Sequence, residues 1–192
     1  MGQRGVVLRA GGPGTRMGAP KGQLDLAGPP IAAGAAAALW TLCGSVLVSV
    51  AAGATNPAPQ HPAVADDPPA GRGPLAGIHA AFRATGEADL LILACDYPRM
   101  TPAGLQALGD RADAARDLVI AVDRAGRDHP LVGLWRRSCV PHGERALSER
   151  MYKVRALLPD VETVRVGPDD VEGVDLDGML INVNHPEDLL RL

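Results

Sequence analysis

The sequence predicts an α/β fold in which a mostly parallel β-sheet is covered by helices on both faces. Short runs rich in Val, Leu and Ile alternate along the chain with longer segments of helical periodicity. A glycine-rich loop directly follows the first apolar run, and parallel sheets of this kind bind ligands beyond the carboxyl ends of their strands. The 192 residues carry no internal repeat, so we expect residues 1–192 to form a single domain.

The first half of the chain alternates apolar strands with Ala-rich helices. Residues 31–43 are rich in Ala and Leu, which predicts a buried helix, and residues 75–84 repeat apolar residues at helical spacing. Between them, residues 53–73 are rich in Pro, Gly and Ala, which indicates a long irregular segment with a short strand at Val64. The remaining strands, all short and apolar, are predicted at residues 6–8, 46–51 and 90–94.

The second half continues the alternation. Pro102 suits the first turn of a helix over residues 102–114, and Thr101 is a suitable N-cap for it. The other helices are predicted at residues 138–149, 151–158 and 186–192, and the other strands at residues 118–122, 131–135, 161–166 and 180–183.

Composition narrows the function classes. A net charge of −3 and 3% aromatic residues argue against a nucleic-acid partner. The three cysteines, Cys43, Cys95 and Cys139, lie too far apart for a zinc motif and fit reduced thiols in the cytoplasm. The longest apolar stretch, residues 31–50, divides into a helix-like half and a strand-like half, so we expect no membrane span and no signal peptide.

The glycine-rich loop after the first strand indicates a triphosphate pocket. It contains Gly11, Gly12 and Gly14, whose backbone N–H groups can approach an anion closely, and the cations Arg16 and Lys21. The spacing is neither that of a Walker A loop nor a GxGxxG pattern. The alternative, a glycine-rich surface turn, does not explain why two cations flank a glycine within it.

Asp96 directly follows the most apolar predicted strand. Mg²⁺ usually takes one or two protein carboxylates and completes its shell with phosphate oxygens and water, so this position suits a metal ligand. The alternative is that Asp96 caps the next helix, but Thr101 is better placed for that role.

Two further polar groups interrupt apolar surroundings. Asp66 precedes a glycine-rich stretch and could accept hydrogen bonds from a ribose or a base, although Asp beside Pro is also ordinary turn chemistry. Asn182 and Asn184 are unusual strand residues, and alternation would place both on one face near phosphate or a second substrate. An Asx turn before Pro186 is the alternative, and it explains Asn184 better than Asn182. The basic residues between Arg145 and Arg155 favour a solvated helix face over an anion dock.

Taken in order, five motifs resemble the signatures of the molybdenum cofactor guanylyltransferase family, which is MobA-like. They are AGGPGTRMGAPK, GPLAGI, CDYP, HPLVGLWR and INVNHPEDL, and together they reach across nearly the whole chain. The resemblance implies a three-layer α/β/α Rossmann-like nucleotidyltransferase fold with a mostly parallel mixed sheet. It also implies Mg²⁺ and a transfer of GMP from GTP to molybdenum-molybdopterin, with release of pyrophosphate. Transient contact with molybdenum cofactor assembly proteins is a further expectation.

The resemblance, together with the loop chemistry argued above for Gly12, Gly14 and Arg16, implies roles for individual residues. The catalytic group would be Arg16, Lys21 and Asp96, with Asp96 as the Mg²⁺ ligand. Acceptor binding would fall to Asn182 and Asn184. Nucleotide binding would fall to Arg9, Ala10, Gly11, Gly12, Gly14, Lys21, Asp66 and Asp96.

Three positions depart from the family pattern and leave the base open. Arg9 stands where the family usually has Leu, Pro20 replaces the usual Asp, and Ala51 replaces an Asn that often contacts the nucleotide. Two alternatives therefore remain: a related enzyme that uses CTP or another nucleotide on a different phosphate acceptor, and a non-catalytic nucleotide-binding partner protein.

Overall fold

The computed structural model describes residues 5–10, 31–66, 72–112, 115–184, 188 and 190, without the side chains of Leu42 and Cys43. The strands in this part of the chain form one sheet in the order β3-β2-β1-β4-β6-β5-β7. Strand β6 runs antiparallel to both of its neighbours, β4 and β5, and the other pairs are parallel. The strands are β1 (Gly5–Arg9), β2 (Val46–Val50), β3 (Ala63–Ala65), β4 (Asp89–Ala94), β5 (Leu118–Val122), β6 (Asp128–Arg136) and β7 (Thr163–Val166).

Helices cover both faces of the sheet, which confirms the predicted fold class. The helices are α1 (Ile31–Cys43), α2 (Gly73–Thr85), α3 (Pro102–Asp110), α4 (Cys139–Ser148) and the one-turn α5 (Leu176–Met179). One core joins α1, α3 and α5 to the sheet, and the other joins α2 and α4 to the opposite face. Within β1, Val6 and Leu8 belong to the first core and Val7 to the second, as strand alternation requires. No helix in the ranges above is long and apolar enough to cross a membrane.

Most predicted elements are confirmed, with shifts at their ends. Helix α1 and strand β5 have the predicted bounds, and β3 lies at the short strand expected around Val64. Strand β6 starts three residues earlier than predicted because it forms a hairpin with β5. Helix α3 ends at Asp110 instead of continuing to residue 114. The helix predicted at residues 186–192 lies, apart from residues 188 and 190, outside the described residues.

Two predicted elements are wrong. Residues 180–183 do not form a strand; Val183 instead donates its backbone N–H to the carbonyl of Asp96, in the turn after β4 (2.8 Å). Residues 151–158 do not form an α-helix but extended chain followed by a short 3₁₀ turn, with another at Leu158–Asp160. Pro159 lies in that second turn and has no N–H to extend a helix.

The predicted N-cap of α3 is confirmed. The Thr101 hydroxyl accepts a hydrogen bond from the backbone N–H of Gly104 at 3.1 Å. We expect Thr101→Ala to lower the free energy of unfolding by about 1 kcal/mol, because a helix-terminal N–H loses its acceptor. Urea denaturation would measure the change, with Thr101→Ser as the control. Equal destabilisation by Ser and Ala would show that the cap contributes nothing.

Candidate functional site

The carboxyl ends of β1 and β4 meet at the point where the strand order reverses. Cys95 donates its backbone N–H to the carbonyl of Arg9 (3.0 Å), and Ala10 donates its own to the carbonyl of Ser49 (2.8 Å). Strands β2 and β4 lie on opposite sides of β1. The chain therefore continues from β1 to β2 on one side, and β4 is added on the other side. Open α/β sheets bind ligands at such a switch point.

The glycine-rich loop starts at this edge. Ala10 is the last described residue of the chain before the loop. Residues 11–30 lie outside the described part of the chain. The predictions for the loop therefore stay predictions, and they concern Gly11, Gly12, Gly14, Arg16 and Lys21. Ala10, the residue before the loop, follows Arg9, which pairs with Ala94 at the end of β4, two residues before Asp96.

Asp96, Asn182 and Asn184 lie together beyond the end of β4. The hydrogen bond between Val183 and the carbonyl of Asp96 places residues 181–184 against the turn after β4. The Asn184 amide then donates to the Asn182 amide oxygen at 2.6 Å. The two asparagine side chains therefore contact each other through a direct hydrogen bond, whereas the strand that was expected to place them on one face is absent.

The chemistry of these donors fits a magnesium ion that substrate phosphates help to hold. The part of the chain that the structure describes has no group of three or more His, Cys, Asp or Glu residues suited to a metal. Mg²⁺ needs no such cage, since one or two carboxylates suffice when phosphates and water complete the octahedron. Asp96 supplies such a carboxylate next to the start of the glycine-rich loop.

A hydrogen-bonded chain of side chains adjoins Asp96, and sequence reasoning did not find it. The Tyr97 hydroxyl lies 2.9 Å from Nδ1 of His129, and Nε2 of His129 lies 3.3 Å from Oδ2 of Asp123. Tyr97 is in the CDYP motif and His129 opens the HPLVGLWR motif, but neither motif predicted that the two side chains meet.

The surroundings set the charge states of Tyr97 and Asp123, the two acidic groups in this hydrogen-bonded series. Burial, and then the nearby Asp96 carboxylate, raise the pKa of Tyr97 well above its ordinary value, so the hydroxyl keeps its proton. Burial would also raise the pKa of Asp123, but hydrogen bonds from Arg127 and His129 outweigh it and lower that pKa to about 2. Asp123 is therefore a carboxylate, and Tyr97 a phenol, across the neutral range.

Arg9 and Asp66, both predicted to meet the nucleotide, form a buried ion pair with each other. Both terminal nitrogens of Arg9 donate to Asp66, at 2.9 and 2.8 Å, and both residues are less than 10% exposed. Ser49 completes the group: its hydroxyl accepts from Arg9 (3.2 Å) and donates to Asp66 (3.3 Å). The pair ties the end of β1 to the residue that follows β3.

Gly77 of the GPLAGI motif makes room for this pair. A Cβ at position 77 would lie 2.5 Å from the Ser49 hydroxyl and 2.6 Å from an Asp66 oxygen. The glycine therefore lets α2 pack directly over the ion pair. The sequence offers one signal for it, an arginine within an otherwise apolar strand, because a buried charge needs a partner. The predicted contacts of Arg9 and Asp66 with a nucleotide remain untested.

The basic stretch near the end of the chain does not form one helix face. Arg145 pairs with Asp160 at 2.6 Å, and Arg155 donates to the backbone carbonyl of Asp128 at 3.0 Å. Arg150 lies two residues after the end of α4 and has a positive φ of 60°. The basic residues are therefore solvent-exposed, as predicted, but they do not lie on one helix.

The family comparison covers most of the chain. A family model described as "MobA-like NTP transferase domain" matches residues 5–164. A Halalkalibacterium halodurans protein named probable molybdenum cofactor guanylyltransferase is 33% identical, over 96% of this chain and 94% of its own length. A Sinorhizobium fredii protein named molybdenum cofactor guanylyltransferase is 31% identical, over 96% and 88%.

A solved structure shares the fold. It is molybdopterin-guanine dinucleotide biosynthesis protein A from Archaeoglobus fulgidus, which superposes with a TM-score of 0.74 at 22% identity. The match covers 97% of this chain and 95% of that one. At this identity the likeness establishes the arrangement of sheet and helices.

Proposed function

The chain belongs to the MobA-like NTP transferase family, and from that premise we propose that it transfers GMP from GTP to molybdenum-molybdopterin, with release of pyrophosphate. The names of the relatives that match along nearly the whole chain support this activity. The observation that carries the proposal is the cluster of Asp96, Asn182 and Asn184 beside the start of the glycine-rich loop. The buried thiols of Cys95 and Cys139 suit the cytoplasm, where we place the reaction.

The proposed chemistry asks little covalent work of the protein. An oxygen of the acceptor's terminal phosphate forms a bond to the α-phosphorus of GTP, and the bond from that phosphorus to the bridging oxygen breaks. Pyrophosphate leaves with the electron pair of that bond. The attacking phosphate is already ionised, so no general base is needed. Catalysis then consists of positioning the two substrates and neutralising charge.

The residues at the sheet edge divide this work. The loop N–H groups of Gly11, Gly12 and Gly14 would hold the nucleotide phosphates, while Arg16 and Lys21 would hold the departing pyrophosphate. Near them, Arg9, Ala10 and Asp66 would border the nucleotide. The paired amides of Asn182 and Asn184 would orient the acceptor. Asp96 would hold Mg²⁺, which when bound neutralises phosphate charge.

A nucleotide panel tests this proposal. Purified protein is incubated with Mg²⁺, molybdenum-molybdopterin and one of GTP, CTP, ATP or UTP, and pyrophosphate release is followed over time. We expect GTP to give the largest kcat/KM, with pyrophosphate and the guanine dinucleotide formed in equal amounts. A preference for CTP would identify the related cytidylyl enzyme instead. Nucleotide binding without pyrophosphate release from any of the four would identify a non-catalytic partner protein.

A further inference from the structure

The Arg9 guanidinium has one edge that the described residues leave unused. Three of its five N–H groups are donated: Nη1 donates to the Ser49 hydroxyl (3.2 Å) and to Oδ1 of Asp66 (2.9 Å), and Nη2 donates to Oδ2 of Asp66 (2.8 Å). Nε is buried and has no hydrogen-bond partner in this part of the chain. Since Nε–H and the second N–H of Nη2 point the same way from the planar group, they form a pair of parallel donors.

The position of α2 shows which way this donor pair faces. A Cβ on Gly77 would lie 2.5 Å from the Ser49 hydroxyl and 2.6 Å from Oδ1 of Asp66, the two atoms that accept from Nη1. Helix α2 therefore covers the Nη1 side of the guanidinium, and the Nε–Nη2 edge is on the opposite side. Arg9 is the last residue of β1, so this edge lies at the carboxyl end of the strand, where the glycine-rich loop begins.

The chemistry of this edge favours an uncharged ligand group with two neighbouring acceptors. A buried N–H without an acceptor is costly, and native proteins rarely leave one. The Asp66 carboxylate already neutralises the arginine, and it would repel a phosphate placed beside it. Two fixed N–H groups match two acceptor atoms that lie side by side, and the ion pair holds the donors in that geometry before any ligand binds.

Two of the four common bases present such a pair of acceptors. Guanine has O6 beside N7, and cytosine has O2 beside N3. In adenine the acceptors N1 and N7 flank a donor amino group, and in uracil both carbonyls flank the N3–H donor. We propose that the Nε–Nη2 edge of Arg9 binds O6 and N7 of guanine and so selects the base of the nucleotide. The choice of guanine over cytosine rests on the proposed function.

An analogue that lacks one acceptor atom tests the proposal on the wild-type protein. In 7-deaza-GTP a C–H group replaces N7, and the rest of the nucleotide is unchanged. Dissociation constants are measured by calorimetry with Mg²⁺ and without molybdenum-molybdopterin. We expect that of 7-deaza-GTP to be about 10- to 100-fold higher than that of GTP, because a hydrogen bond from a charged donor is lost. Equal dissociation constants for the two nucleotides, or ATP or UTP bound as tightly as GTP, would overturn the proposal.

The variant Arg9→Lys removes the donor pair but keeps a cation beside Asp66. A lysine ammonium has three N–H groups, which Ser49 and the two oxygens of Asp66 would use up. We therefore expect this variant to bind GTP and 7-deaza-GTP equally, within about twofold. Arg165→Lys is the matched control and should keep the wild-type preference, since Arg165 also makes two contacts with an aspartate but lies on the edge strand β7. A preference for GTP that persists in Arg9→Lys would contradict the role of Arg9.

A spectroscopic test does not depend on activity. The NMR signal of the Arg9 Nε–H group should move downfield when GTP is added, and the proton should exchange more slowly with water, because the group gains an acceptor. An unmoved signal at saturating GTP would overturn the proposal. A shifted signal without pyrophosphate release would refute the proposed function and leave the base contact intact. Pyrophosphate release from GTP, together with equal binding of 7-deaza-GTP, would overturn the base contact and leave the proposed function intact.

Discussion

Replacing Asp96 with alanine is expected to lower the kcat for pyrophosphate release on the order of a thousandfold, because the charge at the reacting phosphates loses its stabilisation. The fold should survive the change. Thr101, and not Asp96, caps α3, and the Asp96 group bonded to Val183 is its backbone carbonyl, which alanine retains. We therefore expect circular dichroism and the urea midpoint to match those of the wild type.

The matched control for this prediction lies on the same strand. Asp89 starts β4 at the end opposite Asp96, where it pairs with Arg136 at 3.6 Å. Asp89→Ala should retain wild-type turnover, because the amino end of the strand is far from the ligand edge. Initial rates are compared at saturating GTP, acceptor and Mg²⁺. Full turnover by Asp96→Ala would exclude Asp96 from the reaction.

The second large effect is on stability and concerns the ion pair between Arg9 and Asp66. Either Arg9→Leu or Asp66→Ala is expected to lower the free energy of unfolding by about 3–5 kcal/mol, because each leaves an uncompensated charge in the interior. The double variant should recover at least about half of that loss, since neither charge then remains buried. Urea denaturation of the wild type, the two single variants and the double variant measures these changes.

A more exposed pair of the same type is the control. Arg165 and Asp128 also form two contacts, at 3.0 and 3.3 Å, but the arginine side chain is 52% exposed. Arg165→Leu should therefore cost no more than about 1 kcal/mol. If Arg9→Leu costs as little, the buried pair does not stabilise the fold, and its presence in the interior would have to be explained by ligand binding alone.

Local sequence patterns predicted the sheet well because its strands are short, apolar and separated by clear helical segments. These patterns predicted the wrong secondary structure in two segments that belong to neither a strand nor an α-helix. Residues 180–183 have the composition of a strand, but Val183 pairs with the turn at Asp96 and Asn182 accepts a hydrogen bond from the Asn184 amide. Residues 151–158 read as a helix, but Pro159 and the surrounding contacts favour 3₁₀ turns. Both outcomes depend on tertiary contacts that a local pattern does not contain.

The position of a site residue could be predicted from the sequence when that residue directly follows a single strand. Asp96 follows β4, and its place at the carboxyl edge required only the rule for parallel sheets. Contacts between distant positions were not predictable in this way. The Arg9–Asp66 pair joins residues 57 positions apart, and Tyr97–His129 joins residues 32 apart. Each needs the order and direction of the strands, which the periodicity of a single segment does not specify.

The reversed direction of β6 makes the hairpin turn a natural graft point for protein engineering. Strand β6 begins where its neighbour β4 ends, so the turn between β5 and β6 lies at the ligand edge. The Asp123 N–H to Arg127 carbonyl bond (3.2 Å) closes that turn, and Gly126 within it has a φ of 75°. Residues inserted between Arg124 and Gly126 would extend over this edge and leave the strand register unchanged.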